Sequence, residues 1–388
     1  MKRIHADHAA TTRPDPRVVE AMRPWLGERF GNPASVHARG ESARDALESA
    51  RAAVARLLGA RAEEVVFTAT GSESNDLAIS GAMHASSRRR LVVSAIEHAS
   101  VLATARALEA EGFALTVVPA LRDGTVDLDA LAASLGDDVA LVSVMAVNNE
   151  TGVRQPLEAV GALAKGIGAL FHVDAVQAPG RLAVRVDDWG ADLVSVAAHK
   201  FHGPLGSAAL FARRRTRLEP RVRGGQHEHG LRAGTPNVPA IVGMGVAAEL
   251  ALAALEAGEP ARVAALTDRL LADLLAGVPA CTPNGDPGRR AAGTFNLCFT
   301  GVDGEAVLHE LDREGIEVST GSACSHALAG PSHVLLAMGR TPDEAHASVR
   351  FSLGTENDDD DVTRLAAVVP AVVARLRALG GTTMERSA

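Results

Sequence analysis

Short apolar runs recur along the first 212 residues and are separated by polar or amphipathic stretches. Continuous apolar runs bounded by turn residues predict buried strands, and amphipathic stretches such as "ASVLATARALEAEG" (99–112) predict helices between them. This alternation is typical of an α/β fold with a mostly parallel sheet. The seven runs, which predict a seven-stranded sheet, are "VVFTAT" (65–70), "LVVSAI" (91–96), "LTVVPA" (115–120), "VALVSVMAV" (139–147), "LFHVDA" (170–175), "LVSVAA" (193–198) and "SAALFA" (207–212).

The last two runs are separated only by "HKFHGPLG" (199–206). A parallel crossover connection needs about a dozen residues or more, so these two strands are predicted to be antiparallel neighbours. The sheet is therefore expected to be mixed.

The pattern changes from about residue 256, where a long helix (260–277) is followed by a strand (293–301), a second helix (304–315) and a final helix. These elements predict a smaller α+β domain. We expect a large domain over 13–255 and a small domain over 256–388, with residues 1–12 packing back onto the small one.

Charge and apolar segments limit the functional classes. There are 39 Lys plus Arg against 47 Asp plus Glu, a formal charge of −8, which disfavours direct binding to nucleic acid. The start, "MKRIHADHAATT", has no apolar stretch of the secretory kind, so a cytoplasmic protein is expected. The apolar segment 239–255 contains Gly residues and Glu249 and is shorter than the roughly 20 residues of a membrane span, so none is predicted.

The three cysteines, Cys281, Cys298 and Cys324, are odd in number and lack C-x-x-C spacing, which favours neither a disulfide framework nor a zinc site. The stretch "GGQHEHGLRAGT" (224–235) lacks a second cluster of ligands, so we interpret it as a binding loop and predict no metal. Cys324 lies among small residues in "TGSACSHALAGPSHVL" (320–335), which favours a movable loop carrying a reactive thiol.

Polar residues follow several predicted strands, where the ligands of an open α/β sheet bind. Gly71 and Ser72 open a helix whose N–H groups would hold an anion such as phosphate, although Ser72 alone could be an ordinary N-cap. Lys200 follows a strand beside His199 and could form a Schiff base, although an isolated lysine is more often a surface residue.

Taken together, these residues favour a cofactor site over the structural alternatives. Asp174 could pair with a pyridinium nitrogen, and His98, after another strand, could stack on a ring. Together with a Schiff-base lysine and a helix N-terminus for a phosphate, these groups are what pyridoxal phosphate (PLP) requires.

The chain resembles the cysteine desulfurases of the NifS/IscS-like class, which are PLP enzymes of aminotransferase fold type I. The resemblance covers nearly the whole chain. It rests on ordered motifs: "DHAATT", "FGNPASVHARG", "IEHASVL", "VNNETG", "HVDAVQAPG", "AHKFHGPLG", "RAGT", "GSACS", "PSHVL" and "VRFSLG".

The resemblance implies a role for each matching residue. Lys200 would bind PLP covalently, Asp174 would pair with its pyridine nitrogen, and His98 would stack on the ring and serve as a base. The remaining implied contacts are Asn149 and Gln177 on the ring-oxygen side, Gly71, Ser72 and His199 at the phosphate with Thr235 from the second subunit of a homodimer, and Arg350 and Asn32 at the substrate carboxylate. Cys324 would be the sulfur-accepting nucleophile.

The implied activity converts L-cysteine to L-alanine and leaves a persulfide on Cys324 for an acceptor such as an iron-sulfur scaffold or a tRNA-thiolation enzyme. Alternatives are a selenocysteine lyase, a direct PLP-dependent C–S lyase, or a scaffold that docks sulfur-relay partners. The sequence departs from the family at two places near the phosphate. Ala197 stands where a Ser is common, and "TATGSES" (68–74) shifts the glycine of "TSGATES" by one position.

Overall fold

The computed structural model describes residues 2–321 and 330–385, with side chains through residue 379. Its strands, in chain order, are β1 (Ile4–His5), β2 (Val65–Thr68), β3 (Arg90–Ser94), β4 (Ala114–Val118), β5 (Val139–Ser143), β6 (Leu170–Asp174), β7 (Leu193–Ala197), β8 (Ala208–Ala212), β9 (Cys281–Pro283), β10 (Thr294–Phe299), β11 (Ile316–Glu317) and β12 (Ser348–Ser352).

The helices are α1 (Pro16–Met22), α2 (Ala38–Leu58), α3 (Gly71–Ala85), α4 (Ala99–Ala110), α5 (Leu128–Ser134), α6 (Leu157–Gly166), α7 (Val238–Glu256), α8 (Glu259–Gly277), α9 (Gly304–Arg313), α10 (His333–Ala337), α11 (Pro342–His346) and α12 (Asp359–Glu385). Short 3₁₀ segments cover Arg23–Leu26, Ala62–Glu64, Ala198–Lys200, Glu228–Gly230 and Pro287–Arg289.

The large sheet has seven strands in the order β2-β8-β7-β6-β5-β3-β4. Strand β8 is antiparallel to both of its neighbours, and the other pairs are parallel. The predicted mixed, mostly parallel sheet is therefore confirmed, as is the antiparallel pairing of β7 with β8. Each predicted apolar run overlaps one strand of this sheet, although β3 and β4 begin one residue before their runs.

Except for the edge strand β4, the strands of the large sheet are buried on both faces, which explains why they are continuously apolar. Side chains alternate between faces along a strand. In β2, Val65 and Phe67 join the core cluster that contains α2 and α7, whereas Val66 joins the cluster that contains α3 and α4. Helices thus cover the sheet on both sides, and its strand ends are left to form a site.

Helix α7 is long and apolar enough to cross a membrane by length and composition. It instead packs closely on α2, since a Cβ at Gly245 would lie 2.7 Å from the Ala50 Cα. Met244 and Ala248 on the same helix are fully buried in the large core. We therefore interpret α7 as a core helix.

A second core lies beyond α7. Strands β12, β10 and β9 form an antiparallel three-stranded sheet, which packs with α8, α9 and α12. Ile4 and Ala6 belong to this second core, and β1 pairs in parallel with β11. The division into domains at 13–255 and 256–388 stays a prediction.

The acidic run "ENDDDDVT" (356–363) leads into α12, whose first turn contains Asp359, Asp360 and Asp361. Negative side chains are favourable there because the N-terminus of a helix carries partial positive charge. The run therefore has a structural explanation.

Candidate functional site

A cavity of about 270 Å³ lies at the carboxyl ends of the parallel strands. Because β2, β3, β5, β6 and β7 end at one edge of the sheet, the residues that follow them meet there. The cavity is completed by Ala9 and Ala10 of the N-terminal segment and by three residues from the C-terminal part of the chain, Gly321, His333 and Arg350. The sequence-predicted residues that line it are Gly71, Ser72, His98, Asn149, Asp174, Gln177, His199, Lys200 and Arg350.

Lys200 ends the 3₁₀ segment that follows β7, and its side chain is half-buried. Its Nζ donates to the carbonyl oxygens of Ala9 and Ala10, each at 2.7 Å. The amine is therefore held at the cavity wall by the backbone of the N-terminal segment. A lysine so placed is suited to covalent chemistry with a carbonyl.

Asp174 is the last residue of β6 and is 5 % exposed. Its carboxylate accepts hydrogen bonds from Asn75 Nδ2 at 2.8 Å and from the Val176 N–H at 3.0 Å. No Lys, Arg or His among the described residues forms an ion pair with it. A buried carboxylate favours a cationic partner, so this group fits a protonated ring nitrogen.

Gln177 presents a second acceptor to the cavity. Its Nε2 donates to the Ala9 carbonyl at 2.9 Å, which fixes the orientation of the amide. Its Oε1 is buried and has no hydrogen-bond partner in the described part of the chain. Buried polar atoms are normally paired, so this oxygen fits a ligand that donates a hydrogen bond.

His98 caps α4, and its Nδ1 accepts from the Ser100 N–H at 3.1 Å. The Ser100 hydroxyl lies 2.8 Å from the same nitrogen. Because Nδ1 is an acceptor, the neutral ring carries its proton on Nε2. The ring therefore has a defined tautomer at the cavity wall.

The helix start that was expected to hold an anion is observed, because α3 begins at Gly71. Its N-cap is Thr70, whose side chain accepts from the Glu73 N–H, so the alternative of Ser72 as the N-cap is wrong. A Cβ at Gly71 would lie 2.9 Å from Val176 Cγ2, so a glycine is needed for this close approach. The helix N-terminus faces the cavity beside Ala197.

His199 lies at the same end of the cavity, with Nδ1 3.2 Å from Thr11 Oγ1. Burial, with a smaller effect of the Lys200 charge, lowers the pKa of His199 to about 4. The imidazole is therefore neutral near pH 7 and can serve as a hydrogen-bonding group.

Arg350 lies on β12 and is 2 % exposed. Its Nη2 donates to Asp7 Oδ1 at 2.6 Å and its Nη1 to the Asn149 carbonyl at 2.8 Å. Its Nε is buried and has no partner within the residues described. The guanidinium is thus fixed in one orientation at the cavity, as binding of a carboxylate requires.

Two predicted residues, Asn32 and Thr235, are not brought to the cavity. Asn32 is exposed, and its Oδ1 accepts from the Ala34 N–H; Thr235 is exposed in the segment before α7. Neither lines the cavity of this chain. Cys324 lies outside the described residues.

Other residues of the cavity were not predicted from the sequence. Asn75 lies one turn after Gly71 on α3 and so shares its face, a spacing that could have identified it. Ser100, Glu150 and His333 also line the cavity. These three residues lie in "IEHASVL", "VNNETG" and "PSHVL", so the resemblance marked their segments but not their side chains.

Glu150 links the two parts of the site. Its buried Oε2 accepts from Ser332 Oγ at 2.5 Å, and burial raises its pKa. His333 Nε2 lies 2.9 Å from the Glu97 carbonyl. These contacts hold the start of α10 against the loops that follow β3 and β5.

The stretch that contains His227, Glu228 and His229 has a structural anchor. Glu228 is buried, binds Arg51 at 2.7 Å and accepts from the Phe67 N–H at 2.7 Å. Its carboxylate therefore ties the loop to α2 and β2.

Comparisons with known proteins agree with this geometry. The family model of the class-V aminotransferases matches residues 4–365. A cysteine desulfurase of Trichormus azollae is 43% identical over 380 residues, covering 98% of this chain and 95% of that protein. A solved structure of a NifS-like protein has a TM-score of 0.89 at 33% identity, covering 96% of this chain and 100% of the other.

A second solved structure, of SspA in complex with cysteine, has a TM-score of 0.79 at 33% identity and covers 90% of this chain and 98% of the other. The family match extends over both cores and includes every strand whose end contributes to the cavity. The chain therefore belongs to the class-V aminotransferase family and, within it, to the cysteine desulfurases.

Proposed function

We propose that this chain is a PLP-dependent cysteine desulfurase that converts L-cysteine to L-alanine and transfers the sulfur through Cys324. The observation that carries the proposal is the convergence of Lys200, Asp174, His98 and Arg350 on one cavity. The edge of the large sheet brings Lys200, Asp174 and His98 together, and β12 of the second core adds Arg350. A docking scaffold would not need such a cavity.

The residues fit PLP by charge and by hydrogen bonding. Asp174 would hold the ring nitrogen and the unpartnered Gln177 Oε1 a hydroxyl of the ring, with Asn149 and His98 beside it. The start of α3 at Gly71 and Ser72, with His199, would hold the phosphate. When bound, PLP supplies an electron sink for the negative charge that develops at the substrate Cα.

Arg350 would bind the substrate carboxylate. Asp7 and the Asn149 carbonyl hold the guanidinium at 2.6 and 2.8 Å, and this fixed placement would orient the substrate in the cavity that Lys200 also lines. Its unpartnered Nε is a donor left for the carboxylate. Asn32 stays a predicted second contact.

Lys200 Nζ and His98 are the bases available for the Cα proton. The backbone carbonyls of Ala9 and Ala10 fix the position of Nζ. His98 carries its own proton on Nε2 when neutral and is held from the Nδ1 side by Ser100. Once Lys200 Nζ is neutral, it can take and return the Cα proton at this position. His98 in this tautomer donates from Nε2 and would act as a base only with its proton moved off Nε2.

Cys324 would then act as the nucleophile. Its thiolate attacks the substrate sulfur, so that an S–S bond forms as the C–S bond breaks; the carbon fragment takes up a proton and leaves as alanine. The other two thiols are unsuited to this role. Burial raises the pKa of Cys281 to about 12 and raises that of Cys298 as well.

We further propose a cytoplasmic homodimer that passes sulfur to an acceptor protein. Exposed apolar side chains support an interface: Leu26 is 73% and Leu205 72% exposed, beside an apolar depression lined by Val19 and Met22. Thr235 would reach the phosphate of the partner subunit. The acceptor could be an iron-sulfur scaffold or a tRNA-thiolation enzyme.

The proposal is tested on the purified protein with L-cysteine. We expect a yellow protein, fixation of PLP to the Lys200 peptide by borohydride, and one alanine released for each persulfide formed on Cys324. L-selenocysteine is the comparison substrate. Turnover of selenocysteine alone would favour the selenocysteine lyase, and PLP fixed to another lysine would contradict the assignment of Lys200.

A further inference from the structure

Asn75 lies on the first turns of α3, is 1 % exposed and lines the cavity between Asp174 and His98. Its Nδ2 donates to Asp174 Oδ2 at 2.8 Å and to Ser100 Oγ at 3.0 Å. An amide NH₂ group has two protons, so one side chain serves both acceptors. The two contacts point in different directions, one to β6 and one to α4.

The orientation of this amide is determined by chemistry. A carboxylate only accepts hydrogen bonds, so the Asn75 nitrogen and not its oxygen must face Asp174. The Asn75 Oδ1 is consequently buried without a partner among the described residues. An unpaired buried acceptor is unfavourable, which indicates that the placement of the NH₂ group outweighs this penalty.

Ser100 continues the path to His98. Because its oxygen accepts from Asn75, its hydroxyl proton is directed to another acceptor, and His98 Nδ1 lies 2.8 Å away. The Ser100 N–H donates to the same nitrogen at 3.1 Å. A continuous chain of hydrogen bonds therefore runs from the Asp174 carboxylate through Asn75 and Ser100 to the imidazole.

We propose that Asn75 is a positioning residue whose single amide orients both the Asp174 carboxylate and, through Ser100, the His98 ring. The proposal rests on the function proposed above, in which Asp174 holds the PLP ring nitrogen and His98 the ring face. Asn75 itself touches neither substrate nor cofactor in this role. It couples the two protein groups that contact the ring from its edge and from its face.

The first test measures PLP binding to the apoprotein. Asn75→Ala removes a donor to a charged acceptor and is expected to raise the PLP dissociation constant about 10-fold. Asn75→Asp keeps the shape but sets a second carboxyl beside Asp174, so the loss should be larger than for Asn75→Ala. If Asn75 acted through its shape alone, Asn75→Asp would lose less PLP affinity than Asn75→Ala.

The matched control is Ser74→Ala. Ser74 is the preceding residue of α3, is fully buried, and its hydroxyl contacts Thr68 Oγ1 at 2.6 Å. It does not line the cavity, so its loss should lower the melting temperature of the apoprotein without changing PLP affinity. If the PLP dissociation constants of both Asn75 variants lie within twofold of that of Ser74→Ala, the positioning role is overturned.

The second test is a double-mutant cycle that combines Asn75→Ala with Ser100→Ala, with kcat and KM measured separately. Because both residues act on His98 along one path, the combined loss in kcat should be smaller than the product of the single losses. Losses that multiply would overturn the coupling. A wild-type protein that binds no PLP would overturn the proposed function as well, whereas normal PLP binding in the Asn75 variants overturns only this inference.

Discussion

Arg350 and Asp7 form a hydrogen-bonded ion pair of 2.6 Å between residues 343 positions apart in the chain. Arg350 is almost fully buried, and its second Nη donates to the Asn149 carbonyl at 2.8 Å. The N-terminal segment, β12 and the loop after β5 thus meet at one guanidinium. The predicted carboxylate-binding group is held by residues outside its own element.

This arrangement predicts the effect of Arg350→Lys. A lysine keeps the charge but cannot bind Asp7 and the Asn149 carbonyl while presenting a planar donor pair to substrate. We expect KM for L-cysteine to rise about 10- to 100-fold, with PLP affinity nearly unchanged. Arg340→Lys is the control, because Arg340 binds the Pro283 carbonyl and Glu344 outside the cavity. An unchanged KM in Arg350→Lys would contradict the assignment.

Ala197→Ser is expected to strengthen PLP binding. Ala197 lines the cavity beside Gly71, at the end assigned to the phosphate, and a hydroxyl there would donate to a charged acceptor. Such a bond corresponds to about a 10-fold tighter dissociation constant. Titration of the apoprotein with PLP measures it. Equal or weaker binding would show that another group already occupies this place.

Cys324→Ser separates a desulfurase from a direct C–S lyase. The variant should keep its colour and its spectral response to L-cysteine but release no alanine and carry no persulfide. Cys281→Ser and Cys298→Ser are the controls. They should still release alanine and carry the persulfide, because burial raises the pKa of each of these thiols and makes it unsuited to the reaction. Stoichiometric alanine and sulfide from Cys324→Ser would identify a direct lyase.

Light scattering is expected to give a particle of twice the 40.1 kDa of one chain. Thr235 is exposed in this chain, so its proposed contact with phosphate depends on the partner subunit. Thr235→Ala should weaken PLP binding without dissociating the dimer. A monomer with full PLP occupancy would remove the role given to Thr235.

The burial of the His172 imidazole predicts that the stability of the fold depends on pH. It is fully buried between Ser143 and Ser195, and burial lowers its pKa from 6.5 to about 4. The unfolded chain therefore takes up a proton that the folded chain cannot, and stability contributed at neutral pH is lost as pH falls from about 6.5 toward about 4.

The slope for one such group is at most about 1.4 kcal/mol per pH unit. His172→Gln should lower stability at pH 7 but flatten the fall between pH 7 and pH 5, measured by urea unfolding. Equal slopes in the two proteins would exclude His172 as the source.

Much of the architecture could be predicted from the local pattern of apolar and polar residues. Strands buried on both faces must be continuously apolar, so runs such as "VALVSVMAV" (139–147) identified β5 and its neighbours before any contact was known. The spacing of eight residues between the last two runs determined the antiparallel pairing of β7 and β8. Asp174 and Lys200 were found because Asp174 stands at the end of one such strand and Lys200 follows another, and the ends of these strands meet at one edge.

Tertiary structure decided the partners of these groups. Nothing in the sequence near Arg350 indicates Asp7, and nothing near Asp174 indicates Asn75, although both contacts are shorter than 3 Å. Hydrophobic periodicity determines which face of an element is buried, because burial depends on the average polarity of a face. A hydrogen bond depends on the position of single atoms from distant segments, and only the packing of the strands, helices and N-terminal segment sets those positions.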